Sequence, residues 1–322
     1  MNLYQIIKDA KRIGIAGHVK PDGDCSGSCL GLFHYIQTHF QKEVHVFLEP
    51  IPAVFDFLAN SEQIEDAKDY TGANFDIFFA LDCGDADRLG AAKELFLKAD
   101  YTICIDHHIS NQAFADENYI YPHASSTSEL VFELIDDEHL SLSRELAECL
   151  YVGIVHDTGV FQYSSTSSQT MAIAGKLMDT GIDFSKIVDD TFYSRTFIQT
   201  QILGQALLKS QMLLNNQIIT STILLSDLER FQATSQDLEG IVAQLRLTKN
   251  TAVAIFLYET AKNIFKVSLR SNHLVNVSKV AESFGGGGHL KAAGATIEGS
   301  PEAVLKAVVN KISEQTGWQE NQ

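Results

Sequence analysis

The chain has 322 residues, 45% hydrophobic and 20% charged, with a formal net charge of -17. That length allows two domains with separate cores, and the composition is that of a globular protein. The charge argues against a nonspecific binder of long duplex nucleic acid, though not against small phosphorylated substrates whose charge bound cations can offset.

The N-terminus carries no secretory pattern, because Asp9, Lys11 and Arg12 interrupt its apolar residues. No apolar run is long enough to span a bilayer, so a cytoplasmic location without membrane contact is expected. The five cysteines include no CxxC pair. Cys25 and Cys29 are one helical turn apart and could offer thiolates, but small buried residues in a reduced compartment is the better reading.

The first half alternates apolar runs with helical patterns, the rhythm of a doubly wound parallel sheet. Strands are predicted at Ile13–Gly17, Val44–Leu48, Asp76–Leu81, Tyr101–Ile105 and Asn118–Tyr121. Helices are predicted at Cys25–Phe40, Ala53–Leu58, Gly90–Lys98, Thr127–Asp136 and Ser143–Asp157. The hydroxyl cluster Ser125-Ser-Thr-Ser128 reads as a helix N-cap. Helical patterns continue over Ser167–Thr180 and Phe184–Leu214, the latter taken as a connector. Beyond Gln217, strands are predicted at Ile218–Leu225, Thr251–Leu257, Phe265–Arg270 and Ala295–Glu298. Helices there are expected over Ser226–Phe231, Gln236–Leu245 and Val277–Phe284, with a last one starting near Pro301.

Three predicted strands stop at acids and histidines. Ile13–Gly17 leads into His18, Asp22 and Asp24; Asp76–Leu81 into Asp82; Tyr101–Ile105 into Asp106, His107 and His108. Open α/β sheets bind ligands beyond the strand carboxyl ends, so these groups would meet if the strands are neighbours. Pro21 and Gly23 favour a tight loop that brings His18 and the two carboxylates together. Close carboxylates repel unless a cation lies between them, and a metal is the natural counterpart; a helix cap with an incidental acid is the plainer alternative. Adjacent residues in an extended segment point oppositely, so His107 and His108 should differ in role, with Asp106 free to orient one of them. Asp85 and Asp87 read as loop acids, Asp87 pairing with Arg88. A fourth motif, Gly153-Ile-Val-His156-Asp157, offers a carboxylate at a helix tip, while His156 reads equally as packed. Histidine and carboxylate ligands without thiolates suit manganese, magnesium or zinc-like chemistry, and so many acids favour two ions over one.

In the second half, the run Gly285-Gly286-Gly287-Gly288-His289 can curl backbone N–H groups round an anion, and Arg270 falls on the polar face of its strand, where it could grip a phosphate. The alternative is a glycine turn beside a surface strand.

Taken in order, His18-x3-Asp22-x-Asp24, Asp82, Asp106-His107-His108 and Asp157 resemble the four motifs of the DHH phosphoesterase superfamily. Phe284–Gly294, with Val267–Arg270 before it, resembles the DHH-associated C-terminal domain. Together they are similar to the short oligoribonuclease and pAp phosphatase (nanoRNase) members. The resemblance implies a DHH catalytic domain over 1–182, a helical connector over 183–214 and a smaller α/β substrate-binding domain over 215–322, with the active site in the cleft between domains. It implies two divalent ions, manganese before magnesium: one on His18, Asp22 and Asp82, the other on Asp24, Asp82, His107 and Asp157, with Asp82 bridging. Asp82, Asp106 and His108 would be catalytic, His108 facing the scissile phosphate. Arg270, Gly286, Gly287, Gly288 and His289 would hold a second phosphate or terminal nucleotide.

The expected reaction is metal-assisted hydrolysis of very short oligonucleotides or of a nucleoside bisphosphate such as pAp. Tyr163 and Phe161 are candidate stacking platforms, with core packing the better reading. Alternatives are a linear-dinucleotide phosphodiesterase, a manganese inorganic pyrophosphatase, a longer processive exonuclease and, outside enzymes, an RNA-binding module. The intact acid and histidine set favours an enzyme. A homodimer is the default guess for assembly.

Overall fold

The computed structural model describes residues 2–136, 142–272 and 275–319. It divides the chain into two compact units, Met1–Ser194 and Arg195–Gln322.

The first unit carries a six-stranded, wholly parallel sheet. Its strands are β1 (Arg12–Ala16), β2 (Glu43–Phe47), β3 (Ile64–Glu65), β4 (Ile77–Leu81), β5 (Tyr101–Asp106) and β6 (Glu117–Ile120), in the order β3-β2-β1-β4-β5-β6. The helices are α1 (Leu3–Asp9), α2 (Gly23–His39), α3 (Lys93–Lys98), α4 (Thr127–Asp136), α5 (Arg144–Asp157), α6 (Ser168–Met178) and α7 (Phe184–Val188). Both faces of the sheet are covered, as a parallel sheet requires. Ile13, Ile15, Phe79 and Leu81 point into the larger core with α2, α4 and α5. Ala16, Phe78 and Ala80 point the other way, onto Phe47, Phe75 and Phe96. Helices α2 and α5 approach closely because glycines line the contact. A Cβ at Gly27 would lie 2.4 Å from the Cys149 carbonyl oxygen, and one at Gly31 would lie 2.7 Å from Leu150.

The second unit contains helix α8 (Phe197–Leu208), then strands β7 (Gln211–Leu213) and β8 (Ile218–Ile223), helices α9 (Leu225–Phe231) and α10 (Ile241–Arg246), and strands β9 (Val253–Ala261) and β10 (Ile264–Ser271). Helix α11 (Val277–Glu282), β11 (Gly287–His289), β12 (Ala292–Glu298) and α12 (Pro301–Thr316) complete it. The sheet order is β11-β12-β10-β9-β8-β7, antiparallel except for the β8–β9 pair.

The α/β architecture agrees with the sequence expectation, and the elements differ from it in several places. The segment read as one helical connector is α7, a π-helical turn at Asp189–Tyr193, α8 and β7, with the unit boundary inside it. Ala53–Leu58 supports only a 3-10 turn, Ala53–Phe55. Helix α3 starts after Gly90, whose φ of 55° breaks the helical path. Gln236–Leu245 is split by Gly240 at φ 80°, a left-handed conformation that glycine adopts without a Cβ penalty.

Candidate metal centre

Strands β1, β4 and β5 are neighbours, and the order β2-β1-β4 makes the β1/β4 boundary the switch point of the sheet. Ligands of open α/β sheets bind there. His18 follows β1, Asp82 follows β4, and Asp106 ends β5, so all three emerge at one edge. Asp82 has φ 56°, a left-handed conformation that Asp tolerates better than most residues. Its backbone N–H still donates to Ile105 O at 3.1 Å, so the turn is tied to β5.

Two groups of three side chains have ligand atoms within 4.8 Å of one another and share no member: His18, Asp22 and Asp82, and Asp24, His107 and Asp157. Asp82 lies between them. One of its oxygens is 3.5 Å from His18 Nε2 and the other 3.6 Å from His107 Nε2. A carboxylate facing two imidazoles with separate oxygens has the disposition of a bridging ligand. A third grouping, Asp82, His107 and His108, overlaps both, sharing Asp82 with the first and His107 with the second.

Backbone carbonyls orient both imidazoles. His18 Nδ1 lies 2.9 Å from Val19 O, and His107 Nδ1 3.4 Å from Ala124 O. With Nδ1–H donating to the carbonyl, each Nε2 faces the acids, where the neutral imidazole would offer its lone pair to a metal. His107 Nε2 is 3.1 Å from Asp157. His108 differs, as expected: its Nδ1 is held by Asp106 at 2.7 Å, leaving Nε2 outward. Asp106 is fully buried and accepts also from the His107 N–H at 2.8 Å and Asn111 Nδ2 at 2.5 Å. It positions His108 and does not join either group of ligand atoms.

The first motif unites its two readings. Asp22 caps α2, one oxygen accepting from the Asp24 and Cys25 N–H groups at 3.1 Å, while the other lies 3.7 Å from His18 Nε2. Positive φ falls on Lys20, between His18 and Pro21. Asp24 is completely buried at the N-terminus of α4 and accepts from Thr127 N at 2.6 Å and Ser128 N at 2.9 Å. The Thr127 hydroxyl donates to Asp82 at 3.2 Å.

The charge balance fits a cation. Among the described residues, the ion partners of Asp22, Asp24, Asp82 and Asp157 are all histidines. Burial, then the Asp82 and Asp157 charges, push the Asp24 carboxyl well above its usual range. Burial likewise raises Asp157, despite His107. Burial alone would lower His18 and His107, but carboxylates outweigh it: Asp22 and Asp82 raise His18 to about 11, and Asp157 and Asp24 raise His107 to about 10. Asp22, although burial opposes its charge, is held to about 2 by His18 and the α2 amides. His108 is raised chiefly by Asp106. Buried carboxylates that repel one another and draw protons onto their histidines form a donor set suited to divalent cations, which would replace those protons. Four carboxylates and two imidazoles without sulfur make a donor set suited to hard or borderline divalent cations.

Several neighbours read differently once folded. His156 sits between Phe55 and Phe192, its Nε2 3.0 Å from Thr191 Oγ1, and burial lowers its pKa, so it is a packed histidine. Cys25 and Cys29 are fully buried, and no candidate ligand group among the described residues includes a cysteine. Asp87 pairs with Lys93 and not Arg88, because Asp85 caps this turn through the Asp87 and Arg88 N–H groups. Tyr163 is exposed and lies over Gly159, whereas Phe161 packs against the core.

In the second unit, β10 alternates as expected: Phe265, Val267 and Leu269 are buried, and Arg270 is on the other face. Arg270 pairs with Ala292 on β12, which pairs with His289 on β11. Directly opposed residues share a face, so Arg270 and His289 lie in one row, about 10 Å apart by two strand spacings. The glycines first serve the backbone. Gly285 and Gly286 donate to Glu282 O and Ala281 O at the end of α11, so Gly286 offers no free N–H for an anion nest. A Cβ at Gly286 would lie 2.2 Å from Gly294 O, and one at Gly288 2.5 Å from Ala292 O. Gly287, Gly288 and His289 form an exposed edge strand and not an open turn.

Sequence reasoning missed Thr127, Ser128 and Gly153 as parts of this centre. A Cβ at Gly153 would lie 1.9 Å from Ser128 Oγ and 2.7 Å from Asp24 Oδ1. A glycine inside a long helix was the available signal, since that position ordinarily disfavours it.

Comparison with known proteins places this geometry among relatives. The model of the DHH family, N-terminal domain, matches residues 12–154, and that of the DHHA1 domain matches residues 215–316. A Streptococcus mutans protein named probable bifunctional oligoribonuclease and PAP phosphatase NrnA is 32% identical, over 90% of this chain and 90% of that protein. The Thermus thermophilus bifunctional oligoribonuclease and PAP phosphatase NrnA is 29% identical, over 94% of this chain and 90% of its own length. The crystal structure of an exopolyphosphatase-related protein from Bacteroides fragilis aligns with a TM-score of 0.87 at 28% identity, covering 97% of this chain and 94% of that one.

Proposed function

The chain belongs to the DHH family, with a DHHA1 domain in its second half, and on that premise we propose that it is a phosphoric ester hydrolase that cuts very short oligonucleotides to mononucleotides and dephosphorylates pAp. The observation that carries this reading is Asp82, placed between two ligand groups with one oxygen toward each histidine. His18, Asp22 and Asp82 would hold one divalent ion, and Asp24, Asp82, His107 and Asp157 the other, with manganese the first choice. Bound there, such ions would polarise a phosphoryl oxygen and lower the pKa of an attacking water.

The chain's own groups supply the rest. His108, its Nδ1 fixed by Asp106, would direct its Nε2 to a phosphoryl oxygen or leaving group, and Asp106 raises its pKa and so favours the form that donates there. Thr127 and the α4 N–H groups hold Asp82 and Asp24 in place. In the DHHA1 domain, the row of Arg270 and His289 would offer hydrogen-bond donors to a second phosphate, with Gly287 and Gly288 keeping that edge free of side chains. Among the described residues, no helix is long and apolar enough to cross a membrane, which accords with action on dissolved nucleotides in the cytoplasm.

The test is hydrolysis, with manganese added, of 5′-phosphorylated di- to pentanucleotides, pAp, a linear di-adenylate and pyrophosphate. Turnover of oligonucleotides or pAp with pyrophosphate untouched supports the reading. Turnover of pyrophosphate alone would move the protein to the pyrophosphatase alternative.

A further inference from the structure

A cavity of about 550 Å³ opens in the first unit beside the metal centre, with Gly17 and His18 forming part of its wall. That size is within the range of small-molecule sites. Leu48, Ile51, Ile64 and Leu89 supply its apolar surface. Its polar wall is unusual for a protein whose substrates are anions: Glu49, Asp56, Glu65 and Asp66, with the single ammonium of Lys68.

These acids do not form a further cation site. Glu65 is paired with His45 at 2.6 Å, and one oxygen of Glu49 accepts from the Lys20 N–H at 2.8 Å. One oxygen of Asp66 accepts from the Lys68 N–H at 2.9 Å. None of the four belongs to a group of ligand atoms close enough for an ion, among the described residues. What remains is a set of carboxylate acceptors among apolar lining residues, with spare lone pairs above all on the exposed Asp56 and Asp66. Such a wall repels phosphate and accepts N–H and O–H donors.

We infer that this cavity is the nucleoside subsite next to the scissile phosphate, and that it favours guanine. His18 is common to the cavity and the metal centre, so the cavity adjoins the place where a phosphate would be held. Of the nucleobases, guanine presents two adjacent N–H donors, N1–H and the N2 amino group, beside the O6 acceptor. Carboxylates can take both donors while Lys68 meets O6. Uracil offers one imide N–H, and adenine sets its amino donor beside a ring acceptor. The inference rests on the proposed phosphoesterase function and goes beyond it by naming a base preference and the residues that set it.

The test compares kcat/KM for 5′-phosphorylated dinucleotides of guanine, adenine and uracil in the wild-type protein, Asp56→Asn and Asp66→Asn. The wild type should favour guanine over uracil at least tenfold, and at least one variant should reduce that ratio fivefold or more, mainly through KM. As a second arm, Ala67→Phe adds bulk to a residue of the cavity wall. It should depress dinucleotide turnover relative to that of a chromogenic phosphodiester lacking a nucleoside. Wild-type activity without base preference, ratios unmoved in both Asn variants, or parallel effects of Ala67→Phe on both substrate types would each overturn the subsite while leaving the phosphoesterase intact. A wild-type protein inactive on every dinucleotide would also overturn the subsite, and inactivity on pAp as well would remove the functional reading with it.

Discussion

Gly153→Ala adds one methyl group where helix α5 meets Asp24 and Ser128. The new Cβ would lie 1.9 Å from Ser128 Oγ, where ordinary contact begins at 3.4 Å, so the neighbours must yield by about 1.5 Å (3.4 − 1.9). Ser128 and Asp24 are both fully buried, and Asp24 is tied to two α4 amides. The backbone cannot relax on one side alone. Overpacking costs about 1–3 kcal/mol, and so severe a contact belongs at the upper end. Replacing Gly by Ala in a helix interior returns about 1 kcal/mol. The net is a loss of roughly 2 kcal/mol, or about 4–8 °C in Tm for a unit of this size. Because Asp24 Oδ1 is 2.7 Å from the added carbon, the displaced carboxylate should also weaken manganese binding, by about 10- to 100-fold as for other perturbations of ligand support. Thermal unfolding in chelator measures the first effect, and the manganese-induced rise in Tm the second. A Gly153→Ala protein with wild-type Tm and metal response would refute both the close packing and its role in placing Asp24.

Further outcomes follow from the same geometry. Asp82→Asn removes the charge shared by both ligand groups and should lower kcat about a thousandfold, roughly 4 kcal/mol in barrier, in steady-state assays with manganese; near-normal turnover would contradict its placement. In metal-free protein at pH 7.5, His18 and His107 are protonated, with pKa values near 11 and 10, so manganese binding should expel about two protons, read by calorimetry in buffers of differing ionisation enthalpy. Affinity should then rise with pH; and since the pKa values are raised in the folded state, the stabilisation of the metal-free fold by these histidines is complete below about 6.5 and fades as pH climbs toward 10–11. Arg270→Ala should raise KM about tenfold or more for substrates with a terminal phosphate and much less for dephosphorylated ones, the cost of one charge-assisted contact.

Much of the first unit was legible because its strands are continuous β-branched and aromatic runs that end in acids and histidines. Such runs fix the strand and its polar terminus together, and parallel pairing then brings His18, Asp82 and Asp106 to one edge. What holds the site was less legible. Ser125–Ser128 reads locally as a helix cap, and only tertiary approach turns the Thr127 and Ser128 amides toward Asp24, about a hundred residues earlier in sequence. Gly153 carries no side chain to interpret, and its close approach to Ser128 and Asp24 exists only in the folded chain. The run Gly285–Gly288 suggested a loop, yet Gly287 and Gly288 pair as an edge strand, because backbone hydrogen bonding across β12 outweighs weak intrinsic strand preference. The connector between units reads as one helix because its apolar spacing survives the π-turn at Asp189–Tyr193.

The most direct test of the metal centre is anomalous diffraction at the manganese edge from crystals grown with manganese. The account predicts two peaks, one bounded by His18 and Asp22, the other by Asp24, His107 and Asp157, both within ligand distance of Asp82. A single peak that excludes Asp82, or manganese bound elsewhere with these residues still paired to one another, would contradict it.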